Sequence, residues 1–366
     1  MEHFVKPSYG KMWHFCHNSQ GICYSSISGK LSSSYEVLLP DGQSDFDVII
    51  DNNDWLHLVC QNENGDIIYM KRAKDKWEQQ TLMQSKTKEN YPKNFAMILV
   101  GNWINILYTL QYKNSRIIAH QIIGNDGATP EVLDYIDGDF SVTKDKSNNI
   151  FVLYQSHTYG NFGYMAYIWS KKEWSDFVAV PVEGAVTNPH IFVDKSNILH
   201  ITGVLNGKII YYSDIVQNFG EGSNPVLMEK DNLYLLWETP KEGKIHAACS
   251  ADNGKNFSNV TEFMAGRFTS AKIYAISYTS YETSCRTNRC YGYLTDGSVN
   301  FYLTPDFFNI SRIPPKPIGT EISKDAKDLL LPSQYKSDTK IILEELAKIS
   351  AKLDNLQKTI DNKEEI

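Results

Sequence analysis

Apolar and polar positions alternate with a period of two along most of residues 1–304, which predicts strands with one buried face and not helices. One phrase recurs within that alternation: an apolar run, a turn, an alternating strand, a Gly or Asn turn, then a second apolar strand rich in Tyr. It is plainest in residues 47–83 and 189–215, and it returns in 140–169. In these copies Asp51, Asp145 and Asp194 take equivalent places between a first and a second strand, where an Asx side chain can hydrogen-bond the turn backbone.

Aligning the second strands puts Trp13, Leu56, Ile104, Ile150, Leu199, Leu233 and Ile273 in one column. The third strands then begin near Ile22, Ile67, Ile117, Tyr164, Ile209, Ile245 and Tyr291, at spacings of 45, 50, 47, 45, 36 and 46 residues. Four-stranded blades repeat at about 40–50 residues, so the expected fold class is all-β, a seven-bladed β-propeller over 1–304. Six blades are the alternative. The fourth strand of unit five, between Asp214 and Asn224, is hard to discern, and unit seven lacks a turn between its first two strands.

The pattern changes after Phe308, where SRIPPKPIG opens a Pro-containing linker over 305–336. Residues 337–366 contain no Pro and no Gly, and Ser337 with Asp338 can cap a helix of about 27 residues and about 40 Å. Ile342, Leu346, Ile349, Leu353, Leu356 and Ile360 are spaced 4, 3, 4, 3, 4, which predicts a C-terminal coiled-coil segment. Its expected partner is a second copy of the chain, with a trimer or tetramer favoured. A helix folded back on its own propeller is the competing arrangement.

Composition narrows the function classes. Apolar content of 42% supports a core, and no run approaches the length of a membrane span. With 36 basic against 43 acidic residues, a net charge of −7 and only six Arg, nucleic acid is not an expected partner. The 30 Lys and 28 Asn fit an AT-rich, bacterial genome. The first residues do not read as a secretory signal, leaving the cytoplasm or release without a classical signal. Six Cys lack paired metal spacing, although Cys285 and Cys290 close a loop short enough for a disulfide in an oxidising space. No cofactor and no metal are expected: His14, His57 and His200 recur at one position of different units and so point apart.

Residues Ser250, Asp252, Gly254 and Phe257, in SADNGKNF, resemble the Asp-box of sialidase-like propellers. The resemblance implies that Asp252 accepts turn hydrogen bonds while Phe257 packs between blades, a structural role. Sialidases of that superfamily use three Arg from different blades. Here Arg267, Arg286 and Arg289 fall in one unit, so the resemblance extends to fold and not to that chemistry.

Strand order gives the remaining candidates. If first strands start at one face, that face also carries the second-to-third strand loops and holds Asp45, Asp47, Tyr91, Asn94, Asp137, Asp139, Asn188, His190, Glu238, Arg267, Tyr281 and Arg286. Acids, amides and aromatics in this mixture suit sugars. The reading is a non-enzymatic recognition module for a glycan or a protein surface ligand, made multivalent by the coiled coil. Its alternatives are a sialidase-like glycoside hydrolase pairing Asp45 or Asp139 with Glu238, and a structural appendage or coat subunit.

Overall fold

The computed structural model of the chain describes residues 1–303 except 9, 28–30, 32–33, 74, 87–90, 125–128, 240–243, 259, 264–270, 280–284 and 296–297. The chain divides into two compact units, Met1–Pro314 and Pro315–Ile366, and the described residues all belong to the first. The linker and the heptad positions Ile342 to Ile360 lie outside the described residues.

Every element among the described residues is a strand or a turn, as the period of two predicts, with no helix. Unit one holds β1 (Glu2–Lys6), β2 (Met12–Asn18), β3 (Gly21–Ile27) and β4 (Glu36–Leu39). Unit two holds β5 (Gly42–Ile50), β6 (Leu56–Asn62), β7 (Ile67–Ala73) and β8 (Lys76–Met83). Unit three runs through β9 (Ala96–Val100), β10 (Trp103–Tyr112) and β11 (Ser115–Ile123) into the long β12 (Glu131–Lys144). Unit four starts in the same β12 and continues with β13 (Ile150–Ser156), β14 (Phe162–Ile168), β15 (Glu173–Trp174) and β16 (Val178–Ala179). Unit five holds β17 (Val186–Val193), β18 (Leu199–Leu205), β19 (Lys208–Tyr212) and β20 (Val216–Glu221). Unit six holds β21 (Ser223–Glu229), β22 (Leu233–Thr239), β23 (Lys244–Ser250) and β24 (Thr261–Phe263). Unit seven holds β25 (Lys272–Tyr278), β26 (Arg289–Thr295) and β27 (Ser298–Phe301).

Consecutive strands within each unit pair antiparallel, except that in unit four β15 and β16 both pair with β14. The strands form five hydrogen-bonded sheets, in which β12 pairs with both β11 and β13 and β25 pairs with β1. A bulge between Asp137 and Phe140 lets β12 leave β11 and join β13.

Burial explains the strand patterns. The second strand of unit two, LHLVCQN, is buried at every residue, whereas the fourth, KWEQQTLM, is exposed or half-buried throughout. Inner strands are thus covered on both faces, and outer ones meet water. The core is divided into clusters between neighbouring units: Val5, Phe15 and Ile22 of unit one pack with Val48 and Leu58 of unit two. Leu153 and Phe162 of unit four pack with Ile191 and Ile201 of unit five. Another cluster joins Val226 and Leu236 of unit six, Tyr274 and Tyr291 of unit seven, and Phe4 and Met12 of unit one. Burying each large aliphatic or Phe side chain in these layers contributes about 1.5–3 kcal/mol.

The repeated Asp turn has one chemistry. Asp51 Oδ1 accepts from the amides of Asn53 and Trp55, and Asp194 Oδ1 from those of Ser196 and Ile198. Asp145 Oδ1 accepts from Asn149 N at 2.8 Å. Each turn closes through a left-handed residue, Asp54, Asn148 or Asn197, at φ 60, 65 and 66°. The recurring His side chains are held inside their own units. His57 Nδ1 lies 2.6 Å from Tyr69 Oη with Nε2 3.4 Å from Asp51, and His200 repeats this with Tyr211 at 2.7 Å and Asp194 at 3.3 Å.

Unit seven corrects the alignment. Ile273 and Tyr274 belong by pattern to a second strand, yet β25 pairs with β1 in parallel, from Glu2 opposite Tyr274 to Lys6 opposite Tyr278. The Ser277 hydroxyl also accepts from Ile50 N of β5. Residues 272–278 therefore hold the first-strand place, and Tyr291 lies in the second strand. In unit five, β20 supplies the fourth strand that the pattern concealed. Cys285 and Cys290 are buried.

Candidate functional site

The ends at which first strands begin, here the leading end, bring several predicted residues together. Asp45 Oδ2 accepts from Asn94 N at 2.9 Å and also from Lys93 N. Asn94 takes a left-handed φ of 49°, which turns its side-chain amide to Asp139 Oδ1 at 2.7 Å. Asp47 Oδ2 accepts from Met97 N at 2.6 Å, its Oδ1 accepts from Val48 N at 2.8 Å, and His3 Nδ1 is 3.5 Å away. These contacts tie units one to four.

Charges here are strongly biased by their surroundings. Burial pushes the Asp47 carboxyl up to about 6, against the pull of the Met97 and Val48 amides and the Arg289 guanidinium. Burial also pushes His3 down to about 3. Arg289 falls below the usual arginine range through burial, with Asp47 and Asp139 opposing the shift. His190 is likewise lowered to about 3. Its Nδ1 accepts from Leu227 N at 3.0 Å, so Nε2 carries the proton and donates to Asn288 Oδ1 at 2.8 Å.

The segment Arg286–Arg289 was a short loop in the sequence and is a central tie in the structure. Asn288 O accepts from Ile276 N of unit seven, and Thr287 Oγ1 donates to Leu227 O of unit six. Arg286 exchanges backbone hydrogen bonds with Glu229, the last residue of β21, at 2.9 and 2.8 Å. Arg286 therefore lies at the trailing end, away from Asp45, Asp47 and Asn94, because 272–278 is a first strand. Asn188 has φ 48° in the bulge that precedes His190. Asp137 is exposed and pairs with His157 at 3.4 Å. Tyr91 is half-buried, and Arg267 and Tyr281 lie outside the described residues.

Beside this lattice is a cleft of about 630 Å³, lined by Glu2, His17, Asn224, Glu238, Lys272, Tyr274 and Tyr291 among others. The parallel pairing of β1 with β25 sets Glu2 next to Tyr274. Glu2 accepts from His14 Nε2 at 3.0 Å and stands 3.9 Å from Lys272 Nζ; the His14 hydrogen bond draws its carboxyl below the usual range despite burial. Tyr291 Oη donates to Asn224 O at 2.7 Å. Tyr274 is 1% exposed, and its hydroxyl has no hydrogen-bond partner among the described residues. Glu238, half-buried near the end of β22, is close enough to Tyr291 to oppose ionisation of its phenol, and it alone of the predicted residues lines the cleft. Sequence reasoning missed Glu2, Lys272 and Tyr274 because they meet only through the β1–β25 pairing.

The turn at Ser250 is on the trailing end. Asp252 Oδ1 accepts from Ser250 Oγ at 2.8 Å and Asn256 N at 2.9 Å, and Gly254 N donates to Ser250 Oγ at 2.8 Å. Hydrogen bonds from Asn256, first by side chain and then by amide, lower the Asp252 carboxyl to about 2. Phe257 meets Tyr211 edge-on at 4.9 Å and Phe219 at 5.3 Å, between units five and six.

Among the described residues no group of three or more His, Cys, Asp or Glu is placed to hold a metal ion. No protein-family model matches the chain, and no curated protein matches it. Among solved structures it is similar to an ulvan lyase of a new polysaccharide lyase family, with 12% identity over 80% of this chain and 89% of that one, and a TM-score of 0.52. A lectin from Burkholderia pseudomallei has 9% identity over 71% and 83%, with a TM-score of 0.47. The Aleuria aurantia lectin, a six-bladed β-propeller with a novel fucose recognition mode, has 8% identity over 71% and 93%, with a TM-score of 0.42. The likeness to the lyase is one of fold alone.

Proposed function

We propose that the seven units close into a β-propeller that binds carbohydrate at its leading end, in the cleft between units six, seven and one, and that the C-terminal helix presents several copies. The observation that carries this reading is the cleft itself: it gathers the carboxylates of Glu2 and Glu238, the ammonium of Lys272 and the side chains of Tyr274 and Tyr291 around one opening. Glu2 and Lys272 add an acceptor and a donor on the same wall.

A hydrolase needs two carboxylates free to act on one glycosidic bond. Asp45 and Asp139 are spent on hydrogen bonds between units, so recognition is the better-supported reading. A glycan array with full-length protein tests it. Wild type should bind a defined set of glycans, and Glu238→Gln and Lys272→Ala should each weaken that binding without changing the unfolding transition. Binding that survives both substitutions would remove the cleft from the reading.

A further inference from the structure

The turn between β13 and β14 is also at the leading end, because second strands return to the end where first strands begin. At its tip Tyr159 is 55% exposed and lies face to face with Phe177, with ring centroids 4.8 Å apart and an interplanar angle of 6°. One face of the Tyr159 ring is thus backed by a second ring, while more than half of the residue meets solvent. Exposed aromatics of this kind are ordinarily mobile tips. This one is held.

The support comes from Asp134, only 7% exposed, which collects three hydroxyls. Its Oδ2 accepts from Ser156 Oγ at 2.7 Å and Tyr154 Oη at 3.1 Å, and its Oδ1 accepts from Thr158. Ser156 Oγ in turn accepts from Tyr159 N at 3.0 Å, and Asn161 Nδ2 donates to Tyr159 O at 3.1 Å. The bonds to Asp134 are charge-assisted, and through Ser156 they anchor the turn whose backbone is held at the nitrogen and the carbonyl of Tyr159. The exposed pair Asp137 and His157, 3.4 Å apart, flanks the same turn with a carboxylate and an imidazole.

We propose that Tyr159, backed by Phe177, is a second carbohydrate contact that stacks on the apolar face of a pyranose ring, with Asp137 and His157 hydrogen-bonding its hydroxyl edge. An exposed ring backed on one side fits a residue within a polymer and not the end of a chain, so the occupant is an internal stretch of a polysaccharide. This rests on the cleft reading above. Ordering is already built into the protein, so contact at the platform loses little side-chain entropy.

The test uses the full chain with dextran, xylan and pectin, and with glucose, xylose and galacturonic acid as the matching monomers. For the polymer that wild type binds, Tyr159→Ala should lower the ratio of polymer to monomer affinity at least about tenfold, or about 1.4 kcal/mol. That polymer should also protect Tyr159 from nitration by tetranitromethane, read by peptide mass. An unchanged ratio and unprotected Tyr159, with Glu238→Gln still weakening binding, would overturn the platform and leave the cleft standing. Wild type that binds none of the probes would overturn both.

Discussion

Asn94 donates from Nδ2 to Asp139 Oδ1 at 2.7 Å while its own amide donates to Asp45 Oδ2 at 2.9 Å, so one asparagine ties three successive units at the end where their first strands begin. Those polar side chains look like a ligand face in sequence and act in the structure as a lattice between repeats. Asp45→Ala should accordingly destabilise the protein by about 1–3 kcal/mol, by leaving the Lys93 and Asn94 amides without their acceptor. Urea unfolding followed by circular dichroism measures it. Wild-type stability together with lost glycan binding would restore Asp45 to the ligand.

At Gly254 the backbone itself is the constraint. Its φ is +84°, and a Cβ there would fall 1.7 Å from Tyr211 Oη, the hydroxyl that His200 also engages. Gly254→Ala must strain the turn and displace the tyrosine, a loss of roughly 1–3 kcal/mol or more. Asp252→Ala should lower the melting temperature by a smaller amount. Neither should change glycan binding, because this turn is at the trailing end. A binding defect in a normally folded Asp252→Ala protein would reverse the assignment of the two ends.

Acid should unfold the protein through its buried histidines. His3 and His190 titrate at about 3 and His120 at about 4 in the folded state, against 6.5 when unfolded. Between those values the unfolded chain binds more protons, so stability is full above pH 6.5 and falls as pH drops toward 4, by up to about 1.4 kcal/mol per unit for each group. Asp47 has the opposite sign: its folded value of about 6 lies above 3.8, so it costs stability as pH rises through that window. Three groups against one leave a net loss on acidification. Urea midpoints at pH 7 and pH 5 check this, and His190→Gln should flatten the difference. A midpoint independent of pH would mean that these histidines are open to solvent.

Local chemistry was legible and distant pairing was not. Asp51 and Asp194 announced the same turn because an Asx side chain reaches amides two and four residues on, all within one short window. The second-strand column of Leu56, Ile150, Leu199 and Leu233 matches the first residues of β6, β13, β18 and β22. Unit seven misled because nothing near Tyr274 in sequence records that Glu2 lies beside it in a parallel pair. The cleft was invisible for the same reason, and Arg286 was placed at the wrong end with it. Tyr159 passed unnoticed since Phe177 and Asp134 are its neighbours only after β12, β13 and β14 have paired.

The final prediction concerns residues 337–366, outside the described part of the chain. Six apolar residues in a repeat of 4, 3, 4, 3, 4 form a narrow stripe that an isolated helix cannot bury in water. Full-length protein should therefore run in light scattering as a trimer or tetramer, and association of several clefts would raise avidity for a polymer by about 10²–10⁴. Ile349→Asp with Leu353→Asp should return it to the 41.7 kDa monomer with an unchanged β-type circular dichroism spectrum. Each Asp would place an unpaired charge in a dry seam, costing several kcal/mol, more than about three heptads can absorb. A wild-type monomer at micromolar concentration would instead favour a helix packed on its own chain, and tight polymer binding would then have to come from the cleft and the Tyr159 platform alone.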